Sequence, residues 1–374
     1  MRVMIIAGEA SGDLHGAGVV KELKNRDHGI EIYGIGGDRM QREGMQIIYH
    51  VRELSVMGFW EVLKYLPTIR SVEKTLDAMF LNRRPDILVL IDYPGFNLRL
   101  AQKAHKLGIK IFYYISPQVW AWNPGRIKKM KQAIDKMFVI FPFEIDIYKK
   151  AGIDVEFVGH PLLENPEPTQ EKPEFCKRYG FDKSKPMVGL FPGSRKQELE
   201  NIFPQMLQAG KILETELNAQ IAIGAASILE GDYIKSFLEE DTSVKLLQNA
   251  THDLMKNCDV AIVTSGTATL ETAIYQTPML IVYKTSWLTY ILGRFLIKIS
   301  NIGLVNIVAG KIIVPELIQH KAKAKMIAAE AKKYLTDPDL AAKTRLDLKL
   351  VYEKLGTPGA AKRVAENILN AIKI

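Results

Sequence analysis

Along most of the chain, short apolar runs alternate with stretches whose apolar positions recur at helical spacing. The runs at residues 3–7, 86–91, 109–115, 137–140 and 155–158 predict the buried strands of a first parallel sheet. Those at 187–191, 219–223, 244–247, 260–263 and 279–283 predict a second. Helical patterns fill the gaps at 14–25, 96–107, 198–217, 252–256 and 268–275. After Pro315 to Leu317 the chain reads as helical, and Gly356-Thr357-Pro358-Gly359 breaks it before a last helix at 360–372. A Pro- and Glu-rich connector at 164–173 divides the alternation. The expected fold is α/β, with one domain over 1–164, a second over 174–355, and a closing helix at about 356–374.

Composition narrows the class. The chain has 374 residues, 47% of them hydrophobic, enough for two sizeable cores. Cys176 and Cys258 lie far apart with no metal-ligand spacing, which points to a reducing compartment and away from structural zinc or a disulfide framework. The start, MRVMIIAGEASGD, reads as a first strand rather than a signal peptide, and no apolar stretch reaches spanning length. The net charge of +8 implies an acidic partner: nucleic acid, nucleotide or anionic lipid. Much of it is local, with 12 Lys/Arg against 6 Asp/Glu in residues 320–374 and a second cluster at Arg126, Lys128, Lys129 and Lys131. Both also fit solvated helix faces.

Candidate chemistry sits where strands end. After the strand at 260–263, Thr264-Ser265-Gly266-Thr267 is a small-residue turn opening a helix, whose amides suit a phosphate; Glu271, one turn on, suits sugar hydroxyls. A capped junction with a surface glutamate is the plain alternative. Pro192-Gly193-Ser194-Arg195 has the same logic, with a guanidinium added. Two such turns in one domain suggest a diphosphate held between them.

In the first half, Gly8 to Asp13 is a glycine-bearing turn that is not a dinucleotide fingerprint. Its Glu9, Ser11 and Asp13 face a ligand, or Asp13 caps the following helix. Asp92, at a strand tip before Pro94 and Gly95, has the position of a general base or of a helix cap. Trp120 and Trp122 wall a pocket or pin their loop. His160, before Pro161, is a catalytic candidate or a hydrogen-bonded linker residue. Val56, Phe59, Trp60, Leu63 and Leu66 form a helical apolar stripe, broadened by Met57 and Val62. Such a stripe packs in a core, lies on a bilayer or holds an acyl chain.

GEASGD, IDYPGFN, ISPQVWAW, GHPL, PGSR, SGTATLE and Asn306 resemble, in this order, the motifs of the lipid-A-disaccharide synthase family, over residues 3 to about 320. That resemblance implies a metal-independent GT-B glycosyltransferase without a cofactor: two Rossmann-like domains facing a cleft, the C-terminal one holding a UDP-sugar. The closing helix then packs back on the N-terminal domain or is exchanged with a partner chain in a homodimer. The implied reaction joins UDP-2,3-diacylglucosamine to 2,3-diacylglucosamine 1-phosphate (lipid X), releasing UDP. Asp92 is the expected base, with Glu9 and His160 behind it. Arg195 and the amides at Ser265, Gly266 and Thr267 would receive the leaving diphosphate, Glu271 the ribose, and Asn306 a place in the substrate cleft.

The resemblance also turns the stripe from Val56 to Leu66 into an acyl or membrane-docking helix. That makes the protein peripheral at the cytoplasmic face of an inner membrane, touching anionic lipid. Where the family commonly has an acidic residue, this chain has Gly95, and Val305 stands where proline is common. A UDP-GlcNAc transferase acting on a lipid-linked peptidoglycan precursor and a UDP-GlcNAc 2-epimerase share the fold logic. A nucleic-acid binder would interleave aromatics with exposed basic residues, which Trp120 and Trp122 do not do.

Overall fold

The computed structural model describes residues 1–54, 59–164, 169–193, 196–225, 228–238, 243–286, 290 and 301–371. The chain forms two compact units: Met1–Glu164 with Leu355–Ile374, and Asn165–Lys354.

The first unit is built on a seven-stranded parallel sheet. Its strands are β1 (Arg2–Ala7), β2 (Glu31–Gly36), β3 (Gln46–His50), β4 (Ile87–Ile91), β5 (Lys110–Tyr114), β6 (Lys136–Val139) and β7 (Val155–Phe157). Their order is β3-β2-β1-β4-β5-β6-β7, so the winding reverses between β1 and β4. Those two strands pair in parallel, Ala7 opposite Ile91. The residues of β1, β2, β4, β5 and β6 are almost all buried, as expected of a sheet covered by helices on both faces, while the edge strands β3 and β7 are only partly covered.

The last helix, Ala360–Asn370, closes this unit against helix Ala10–Arg26 and buries Ala361, Val364 and Ile368. A Cβ on Gly18 would lie 3.0 Å from that of Ala361, so the missing side chain lets the helices approach. Glu164 accepts the Ala361 amide, Arg363 donates to the Val158 carbonyl at 2.8 Å, and the His160 amide donates to Leu355 at 2.8 Å. The outgoing and returning segments are thereby tied together.

The second unit holds a six-stranded parallel sheet: β8 (Met187–Phe191), β9 (Gln220–Ala225), β10 (Lys245–Gln248), β11 (Val260–Thr264), β12 (Met279–Tyr283) and β13 (Glu316–Ile318). The order is β10-β9-β8-β11-β12-β13, with the reversal between β8 and β11. Phe191 pairs with Val263 at the ends of those strands. Helices Lys196–Leu217 and Ala324–Thr336 cover one side of this core.

Both sheets are therefore doubly wound, and each has one place where its strands fan apart. In such folds ligands bind there, beyond the carboxyl ends of the strands.

Candidate active site

In the first unit the reversal point lies between the turns after β1 and β4. The first differs from its sequence expectation. Ala10, Ser11, Gly12 and Asp13 are already helical, and Glu9 is the extended N-cap residue of helix Ala10–Arg26. Asp13 does not cap this helix. Its buried carboxylate crosses to the loop after β2 and accepts the amides of Gly37 at 2.7 Å, Met40 at 3.1 Å and Arg39 at 3.2 Å. It thus caps the neighbouring helix Asp38–Arg42. Glu9 and Ser11 remain exposed beside the reversal.

Asp92 follows β4 directly. It and Tyr93 both take left-handed backbone angles, φ 46° and 47°, which are strained for non-glycine residues. The surroundings hold them there. The Asp92 amide donates to Tyr114 at 3.0 Å, and the Asp92 carbonyl accepts the Tyr113 hydroxyl at 2.5 Å and the Asn97 side-chain amide at 2.7 Å. Helix Pro94–Lys106 begins without any side-chain cap, so Asp92 is not its cap. Burial, reinforced by the negative charge of Glu9, pushes the Asp92 carboxyl up to about 6. A carboxylate so placed is a stronger proton acceptor than one in water and still ionised at neutral pH.

Asp92 lines a cavity of about 210 Å³ with Ile115, Gln118, Trp122, Arg126 and Glu144. Ile115, at the tip of β5, is also left-handed (φ 64°), an outlier for a β-branched side chain. Glu144 anchors the loop that follows. Its buried carboxylate accepts the Ser116 hydroxyl at 2.6 Å, the Trp120 indole at 3.1 Å and the Phe141 amide at 3.2 Å. Desolvation raises its pKa to about 7 despite these donors. The two tryptophans therefore divide the roles: Trp120 pins the loop, while Trp122, 42% exposed, walls the cavity with Arg126 stacked 4.2 Å from its ring centre.

His160 is buried, with its ring 5.2 Å from that of Phe141. Its Nδ1 accepts the Leu162 amide at 3.2 Å, and burial holds its pKa down to about 3. It is a neutral, hydrogen-bonded residue at the end of the first unit's strand layer.

In the second unit the turns after β8 and β11 are neighbours, because those strands pair up to their ends. Gly193 is left-handed (φ 86°), and Ser194 and Arg195 lie outside the described residues. Gly266 has φ 150°, a region closed to other side chains, with nothing within 4 Å of where a Cβ would be. Ser265 donates its hydroxyl to the Ile302 carbonyl at 2.9 Å. Glu271 stands in the first turn of helix Ala268–Ile274.

Asn306 is fully buried and engaged throughout. It donates to Val314 and to Glu316, and its oxygen accepts the amides of Ile313 and Val314. Glu316 also accepts the amides of Ile302 and Gly303. Asn306 therefore acts on the turn at Ser265 at one remove, by fixing the loop that Ser265 grips.

Val56 and Met57 lie outside the described residues, as do the side chains of Phe59, Trp60, Val62, Leu63 and Leu66. Among the described residues no helix is long and apolar enough to cross a membrane, and no group of three or more His, Cys, Asp and Glu could hold a metal ion. Sequence reasoning missed Glu144 and Arg126. The first reads as an ordinary acidic residue in a helix's opening turn, the second as part of a solvated basic run.

Comparison with known proteins bears on the family and the fold. A family model described as lipid-A-disaccharide synthetase matches residues 3–370. The lipid-A-disaccharide synthase of Geobacter sulfurreducens is 45% identical over 373 residues, covering 99% of this chain and 97% of its own. That of Coxiella burnetii is 41% identical over 371 residues, covering 99% and 98%. Among solved structures, the Neisseria meningitidis UDP-GlcNAc 2-epimerase bound to UDP-GlcNAc superposes with a TM-score of 0.67 at 12% identity, over 99% of this chain and all of that one. A calicheamicin glycosyltransferase reaches 0.65 at 13% identity, over 99% and 98%. The distant structures share the GT-B type of fold and establish no more than that, whereas the sequence matches are close and run end to end: the chain belongs to the lipid-A-disaccharide synthase family.

Proposed function

We propose that the protein is the inverting glycosyltransferase of lipid A biosynthesis that joins UDP-2,3-diacylglucosamine to 2,3-diacylglucosamine 1-phosphate. Family membership supports the reaction. The observation that carries the chemistry is Asp92, a strained, desolvated carboxylate at the reversal point of the first sheet, opening into a cavity.

In this reading the Asp92 carboxylate removes the proton from the acceptor 6-hydroxyl as that oxygen attacks the anomeric carbon of the donor. The new C–O bond forms as the bond to UDP breaks, which inverts the anomeric centre. Glu9 keeps the proton affinity of Asp92 high, and His160 supports the segment behind the site. The departing diphosphate is received by the amides of Gly266 and Thr267 and by Arg195, with Glu271 on the ribose. Gly266 suits this because its backbone can be approached without a side chain in the way. The stripe from Val56 to Leu66, with the basic surface, supports a peripheral contact with anionic lipid at the cytoplasmic face of the inner membrane.

The test is an incubation of purified protein with UDP-2,3-diacylglucosamine and lipid X, following UDP and disaccharide together. Stoichiometric formation of both is the expected result. UDP-GlcNAc alone should yield neither UDP nor an epimer; turnover of it would replace this reading with the epimerase or another transferase.

A further inference from the structure

The cavity beside Asp92 contains a cation that makes no ion pair among the described residues. Arg126 lines it and lies half-buried, with its guanidinium stacked on the Trp122 indole and with no ion pair to any described carboxylate. Neither acid in the cavity wall serves as its partner. Glu144 is occupied by Ser116, Trp120 and Phe141, and Asp92 makes no salt bridge with it. A guanidinium held over an indole face is restrained and weakly hydrated, an arrangement that suits a bidentate grip on a phosphate. Without an ion-pair partner among the described residues, its N–H groups are open to an anionic guest.

The size of the cavity limits what enters. About 210 Å³ is below the ~300–1,000 Å³ of sites that enclose drug-sized ligands, so it takes one sugar ring and its substituents rather than a whole diacylated molecule. In the acceptor named above, the anomeric phosphate on C1 and the hydroxymethyl on C5 that carries the reactive 6-hydroxyl flank the ring oxygen of one glucosamine ring. An aspartate and an arginine in the wall of one small cavity supply a base for the hydroxyl and a cation for the phosphate.

Resting on that reading of the reaction, we propose that Arg126, braced on Trp122, binds the anomeric phosphate of the acceptor and makes the enzyme select the phosphorylated sugar over its free alcohol. Trp122 is a positioning residue in this scheme.

The experiment measures transfer to lipid X and to its dephosphorylated counterpart, 2,3-diacylglucosamine, by the wild type and by Arg126→Ala and Arg126→Lys. Arg126→Ala should lower kcat/KM for lipid X by about tenfold to a hundredfold, mainly through KM, while hardly changing the dephosphorylated acceptor or the KM of the donor. Arg126→Lys should recover part of the preference. An equal loss on both acceptors, or an unchanged preference, overturns the proposal.

A second arm does not depend on turnover: binding of glucosamine 1-phosphate, compared with glucosamine and inorganic phosphate, followed by tryptophan emission. Tighter binding of the sugar phosphate that Arg126→Ala abolishes supports the proposal even if the transferase reading fails; equal binding by variant and wild type overturns it. A third arm sediments the protein with phosphatidylglycerol vesicles lacking acceptor. Unchanged sedimentation of Arg126→Ala is expected, and a loss would assign the cation to the bilayer instead.

Discussion

The ring of Tyr93 occupies the space in front of Gly8, its Cγ only 2.1 Å from where a Cβ on Gly8 would be placed. The turns after β1 and β4 are thereby fitted into each other, and the strained backbone at Asp92 and Tyr93 leans on the one residue type that admits it.

Gly8→Ala should therefore displace Tyr93 and, through it, Asp92. Overpacking of this kind destabilises by about 1–3 kcal/mol. A denaturant midpoint that falls with unchanged slope, accompanied by a loss of kcat larger than any loss of UDP affinity, is the expected result. A variant with wild-type stability would show that the two turns move independently.

Asp92→Asn should lower turnover by about 10²–10⁴-fold while leaving donor binding near that of the wild type. In the wild type, kcat/KM should rise with pH up to about 6 and then level off, because the base must be ionised. Stability should move the opposite way. The carboxyl is raised from 3.8 to about 6, so the folded state binds its proton more tightly than the unfolded state does. Stability from this group is complete below about 4 and declines as pH rises to about 6. At neutral pH the isosteric Asn variant should be more stable, by at most about 3 kcal/mol. Equal unfolding midpoints at pH 7.5 would refute the burial of the charge.

Glu144→Ala should leave three donors, on Ser116, Trp120 and Phe141, without their acceptor. Unmade buried hydrogen bonds predict a destabilisation of about 3 kcal/mol. Glu144→Gln retains an acceptor oxygen and should lose much less. In the wild type the emission of Trp120 should change across a pH near 7, where Glu144 titrates, and a Trp120→Phe background should remove that change.

Gly266→Ala meets no neighbouring atom, so its effect isolates the backbone. A non-glycine residue at φ 150° is strained by about 1–3 kcal/mol and will relax by rotating the turn. UDP affinity should fall about tenfold with little change in helix content, measured by equilibrium binding and circular dichroism. Unaltered affinity would remove this turn from the diphosphate site.

The periodicity of apolar residues carried most of the architecture. Val3 to Ala7, Met187 to Phe191 and Met279 to Tyr283 are strands where their composition puts them, because a strand buried on both faces has nothing but apolar residues to display. β2 and β3 escaped notice because Gly34 and Gly36 interrupt the first and Gln46, Tyr49 and His50 dilute the second. Asp13 illustrates the limit for polar residues. Its position near a helix start is legible, but its partners Gly37 and Met40 come from another βα unit that only the sheet order brings near. The same holds for Glu144, whose partner Ser116 is 28 residues away in sequence. Asp92 was legible because the strand that ends at Ile91 and the proline that follows bracket it locally.

The discontinuity of the first unit bears on how the chain is made. During synthesis residues 1–164 leave the ribosome first, but the face of helix Ala10–Arg26 that receives Ala361 and Val364 stays open until residues 360–370 have emerged. By then the whole of the second unit has been translated. The amino-terminal half must therefore wait, incompletely covered, for a younger neighbour to finish before it can lock, a delay that exposes it to chaperones and proteases more than its sequential position suggests.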